Sequence, residues 1–81
     1  MAAGVERFLL YNPTTKLYHC GGFLDGDFRR AYLFQSLQFA RQGLMQSIVD
    51  LGNRKEWKIQ RVLVHWDEFG DITHLDVLDE I

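Results

Sequence analysis

The side chains in this chain that can hold a metal or move a proton fall in two places. His65 and His74 lie in two strand-like stretches joined by a short acidic turn, with Asp67 and Asp76 close by in sequence. If a four-residue loop, Glu68 to Asp71, joins those strands, the two imidazoles face each other, and a slip of one residue separates them. Two imidazoles and a carboxylate suit zinc. The His-Glu-x-x-His spacing, which sets two ligands on one helix face whatever the strand register, is absent. The expectation is two ordinary sheet histidines, with no metal and no cofactor. His19-Cys20 is the second place. A catalytic thiol needs a base within hydrogen-bond reach, but adjacent strand residues project to opposite faces, so His19 is not set to take the Cys20 proton. The stretch from Gly21 to Gly26 lacks the Lys and the helix start of a phosphate loop. Asp25 and Asp27 around Gly26 are a fragment of a calcium loop without the remaining ligands. No nucleophile–base pair or metal set falls on one face, and the chain reads as non-enzymatic.

Two charged groups are candidates for binding instead. All nine Lys and Arg lie at or before Arg61, and Asp67, Glu68, Asp71, Asp76, Asp79 and Glu80 follow with no basic residue among them. With Phe69 at the turn and Trp66 just before it, these acids make a surface suited to a basic partner. The same charges on an edge strand also block sheet-to-sheet aggregation. The alternative surface is basic: Arg29, Arg30, Arg54, Lys55 and Lys58 with the Trp57 ring. Arg29 and Arg30 beside the Gly21–Gly26 loop suit a nucleotide, and the whole set suits single-stranded nucleic acid through charge and stacking. A net charge of −2 and the lack of an RNA-recognition aromatic signature argue against direct nucleic-acid binding.

The elements that must carry these groups can be read from periodicity. Apolar Leu37, Ala40, Leu44, Ile48 and Leu51, widened by Met45 and Val49, follow one helix face from an N-cap at Ser36 to a stop at Gly52-Asn53. That predicts about fifteen helical residues, roughly 22 Å. Gly43 inside it costs about 1 kcal/mol against Ala and marks a close approach to the sheet. Arg7–Asn12 and Leu17–Cys20 form a hairpin across a turn set by Asn12 and Pro13. Phe23–Arg30 is a loop, Ala31–Phe34 a third short strand, and Trp57–Trp66 and Ile72–Leu78 the last two strands. Residues 1–6 read as frayed.

The order β-β-β-α-β-β predicts an α+β fold. It is a mostly antiparallel, twisted sheet of four to five strands with one helix on one face and the other face more open. Eighty-one residues make one domain, and 47% hydrophobic residues suffice for its core. An uncovered face and edge lead to the expectation of a homodimer. The single Cys20 allows no internal disulfide, and no apolar run reaches membrane-spanning length. The first residues have no signal-peptide pattern. The expected setting is a reducing, cytoplasmic one, away from membranes.

Phe8-Leu-Leu-Tyr-Asn-Pro-Thr-Thr-Lys-Leu-Tyr, then Gly21-Gly22-Phe23, then Arg30-Ala-Tyr-Leu-Phe-Gln-Ser and Ala40 make up a longer pattern. It resembles one in small uncharacterised proteins of phages and mobile elements, of anti-defence, anti-CRISPR-like type. The resemblance spans roughly half the chain. It implies an accessory inhibitor in a bacterial host cell, one that binds a larger host protein or nucleoprotein complex and blocks it sterically. It carries over no catalytic residue.

Overall fold

A computed structural model describes residues 4–81. Five strands, β1 (Val5–Asn12), β2 (Leu17–His19), β3 (Leu24–Asp25), β4 (Lys58–Trp66) and β5 (Ile72–Glu80), join one helix, α1 (Leu37–Met45). The strands form one antiparallel sheet in the order β3-β2-β1-β4-β5. This is the α+β architecture expected, with the middle of the sheet made by β1 and β4.

The first hairpin follows from local chemistry. The Asn12 side chain accepts from the backbone N–H of Thr14 at 2.9 Å and of Thr15 at 3.3 Å, and Lys16 takes the left-handed conformation at φ 60°. The expected fraying of residues 1–6 is corrected at its end: Val5 and Glu6 already pair with Val64 and Leu63, while residues 1–3 lie outside the described residues.

The third strand is not where the β-rich Ala31–Phe34 stretch predicts it. It is Leu24–Asp25, inside the expected loop, and pairs with Tyr18 and His19. Phe34 makes a single bridge, exchanging both backbone bonds with Phe8 at 2.9 and 2.7 Å. The reason lies in β2, which pairs only with the far end of β1 (Tyr11 and Asn12). The edge of β1 beyond β2 is open at Phe8, and Phe34 fills it.

Ser36 caps α1 as expected, its Oγ accepting from Phe39 N–H at 3.2 Å. The helix stops at Met45, well short of Gly52. Ser47 ends it: its hydroxyl accepts from Val49 N–H at 3.1 Å and donates to Val49 O at 3.0 Å, offering the backbone a local alternative to the helix ladder. Ile48 therefore leaves the apolar stripe and stands exposed, and Met45, the last helical residue, is exposed as well. Leu51 is buried all the same, delivered by an irregular path that Trp57 fixes by donating Nε1–H to Leu51 O at 2.9 Å. Gly43 does mark a close approach, to a side chain and not to the sheet backbone. A Cβ there would lie 2.5 Å from the Phe34 ring.

Two cores flank the sheet. Leu10, Ala40, Leu51, Trp57 and Ile59 pack under α1. Leu9, Ala31, Val62 and Val64 pack on the opposite face, joined by Tyr11, Tyr18, Leu33 and Trp66. The expectation of an open second face is thus corrected: Ala31 and Leu33 of the connector before α1 cover it. The composition of the Val62-Leu63-Val64 run leads to the expectation of burial on both faces. Val62 and Val64 are fully buried on this second face, while Leu63, on the helix side beyond α1, is half-buried.

Candidate functional site

Strands β4 and β5 form a ribbon whose outer strand is the sheet edge. Their turn is ordered by one carboxylate: Asp67 Oδ1 accepts from Phe69 N–H at 2.9 Å and Asp71 N–H at 3.0 Å. Asp67 N–H donates to Asp71 O at 3.0 Å, and Gly70 supplies the left-handed residue at φ 84°. Asp67 is therefore occupied as a turn-former and does not join the histidines. Phe69 is left 80% exposed at the tip, beside exposed Glu68 and Asp71. Along β5 only Ile72 and Leu75 are half-buried; Asp76, Asp79 and Glu80 are exposed with Val77 and Leu78. Among the described residues, Glu68, Asp71, Asp79 and Glu80 make no ion pair within 4 Å. Trp66 differs from its neighbours: it is half-buried against the Leu9–Val62–Val64 core and supports the ribbon's base.

The basic residues do not gather. Arg29 donates to the Asp27 carboxylate at 3.1 and 3.0 Å, and that bond holds the Asp27 carboxyl below and the guanidinium above their ordinary ranges. Arg30 pairs with Asp25 at 3.5 Å. Arg29 lines a surface hollow with Trp66 and Asp71, at the acidic end of the ribbon. Arg54, Lys55 and Lys58 lie at the opposite end of β4, about 26 Å away along an extended strand. Arg54 Nε–H is committed to Leu44 O at 2.9 Å, satisfying a carbonyl of the last turn of α1. Trp57, the stacking ring of that surface, is a correction: it is 5% exposed and a core residue.

His19 and Cys20 also take structural positions. His19 is 5% exposed. Gly21 N–H approaches its Nδ1 at 3.3 Å, so Nδ1 accepts, and Nε2–H donates to Ser47 Oγ at 3.0 Å. Both nitrogens are spent, and neither serves Cys20. Burial, then the Asp25 charge, pushes the Cys20 thiol up, away from an activated thiolate. Burial also pushes His19 below the usual imidazole value of about 6.5. The unfolded chain then binds more protons than the folded one below that value, so His19 favours folding above pH ~6.5 and its contribution falls as pH drops towards the folded value. Urea unfolding at pH 5.5 and 7.5 is expected to show a smaller acid-side loss in His19→Gln than in the parent; an identical loss would contradict this.

His65 and His74 are cross-strand partners, as a matched register requires. They reach that position by a different route from a simple four-residue loop. Trp66 pairs with Ile72, and an irregularity at Thr73 restores the alignment. That bulge has no signature in the sequence.

No helix among the described residues is long and apolar enough to cross a membrane. Comparison of the chain with family models, with curated proteins and with solved structures finds no match in any of the three.

Proposed function

We propose that the chain is a non-catalytic protein-interaction module that docks its β4–β5 ribbon on a basic surface of a larger protein. The observation that carries this reading is Phe69, a ring 80% exposed on a turn already ordered by Asp67. A large apolar side chain held in place before binding loses little entropy on docking, which is what interface anchors need. Glu68 and Asp71 supply negative charge beside it, and Asp79 and Glu80 carry that charge to the far end of β5, about 26 Å along the ribbon. This charge speeds and orients encounter with a basic surface. The outer edge of β5 has unpaired backbone groups along its length and can accept an added strand, including that of a second copy. The mode of action would be occlusion, which is also what the resemblance to phage anti-defence inhibitors implies.

Phe69→Ala is expected to weaken binding of a captured partner at least tenfold while circular dichroism and the unfolding midpoint stay as in the parent. Glu68→Lys with Asp71→Lys is expected to slow association and flatten its salt dependence. Parent-like binding by both variants would refute the docking surface.

A further inference from the structure

We propose that His65, His74 and Asp76 form a site for one divalent transition-metal ion of the zinc, nickel and copper kind, clipping β4 to β5. On β4 the row facing the helix side runs Ile59, Arg61, Leu63, His65. Ile59 lies under α1, whereas His65 stands about 20 Å further along the strand. The two imidazoles stack there with centroids 4.0 Å apart and planes within 9°. Asp76, two residues after His74, shares their face. Its Oδ2 lies 2.8 Å from His65 Nε2 and 3.9 Å from His74 Nε2. All three donor atoms fall within 4.8 Å of one another. In a tetrahedral site with bonds of about 2.0–2.2 Å, donors stand roughly 3.3–3.6 Å apart. The two separations to Asp76 bracket that range, and the stacked imidazoles would turn out of their parallel planes to aim both nitrogens at one ion.

A supporting contact prepares the donors. Thr73 Oγ1 lies 3.2 Å from His65 O, to which it donates, and 3.3 Å from His74 Nδ1. The hydroxyl's one proton goes to the carbonyl, so Nδ1–H of His74 must donate to Oγ1. Nε2 of His74 then keeps its lone pair and points it towards Asp76, the tautomer that binds metal. The His74 lone pair and the Asp76 carboxylate thus face one gap. Asp76 Oδ2 accepts from His65 Nε2–H at 2.8 Å, and a cation entering the gap would displace that proton and take the nitrogen as its third ligand. Thr73 is the extra residue of the bulge, and re-aiming a side chain is a recurrent use of bulges.

The donor set selects the ion. Two imidazole nitrogens with one carboxylate suit zinc, nickel or copper and do not suit magnesium or calcium, which take oxygen ligands. The His74 and Asp76 side chains are 56% and 55% exposed, so a fourth position faces solvent and takes water. Bound metal would cross-link the ribbon behind the Phe69 turn and stabilise the folded state by linkage.

The test is titration of the tag-free protein with ZnCl2, followed by calorimetry, by thermal unfolding and by the histidine ring signals in NMR, with MgCl2 as control. One zinc per chain is expected, with an unfolding midpoint raised by roughly 10 °C or more at zinc 100-fold above Kd. The ring signals of His65 and His74 should move and those of His19 should not. His74→Gln and Asp76→Asn, both at exposed positions, should each weaken zinc binding at least tenfold, and Thr73→Val should weaken it less. Three results would overturn the site: no zinc binding by the parent, undiminished binding by His74→Gln, or an equal response to magnesium.

Discussion

Trp57→Ala is expected to destabilise the fold by about 3–5 kcal/mol, a large part of the roughly 4–12 kcal/mol that a domain of this length possesses. The indole is buried among Leu10, Ala40, Leu51 and Ile59, and its N–H satisfies Leu51 O. Truncation removes both the ring and the tie holding residues 46–56 against the helix-side core. Trp57→Phe separates the two effects, because it keeps most of the volume and loses only the hydrogen bond, at about 1–3 kcal/mol. Urea unfolding of the three proteins measures both. A cost under about 1 kcal/mol for the Ala variant would return Trp57 to the surface and revive the basic stacking face.

Leu9→Ala is expected to cost about 2–5 kcal/mol, as much as Leu10→Ala. Leu9 and Leu10 project to opposite faces of β1, and both are 0% exposed. A sheet covered on one face alone would tolerate one of the two changes within about 0.5 kcal/mol. Covering by Ala31 and Leu33 makes them equivalent. The pair, measured side by side in urea, reads out directly whether the connector before α1 closes the second core. A Leu9→Ala cost near zero beside a large Leu10→Ala cost would show that face to be open.

The parts of the fold legible in the sequence are those governed by neighbours along the chain. The Asn12 turn, the Ser36 cap and the alternation of Trp57–Trp66 are each decided within a few residues. The end of α1 was not legible, because the apolar stripe continues through Ile48 and Leu51 while Ser47 turns the backbone away. Ser47 is held in that role by His19, twenty-eight positions distant, a contact periodicity cannot report. Ala31–Phe34 has the composition of a strand, but the length of open β1 edge limits it to one bridge. At the site, the acid-rich turn and the exposed Phe69 follow from composition and turn chemistry. The split of the basic residues does not, since it depends on which end of β4 each loop meets. The His65–His74 pairing could be drawn from the sequence only by assuming a register, and the Thr73 bulge that sets it leaves no residue pattern to read.

The claim that the ribbon tip is the docking surface is tested most directly by placing a photoreactive phenylalanine analogue at position 69 and, separately, at Met45 on α1, which is 74% exposed. Irradiation with the captured partner is expected to give a covalent complex from position 69 and none from position 45. Cross-linking from position 45 with none from position 69 would contradict the account and move the interface to the helix.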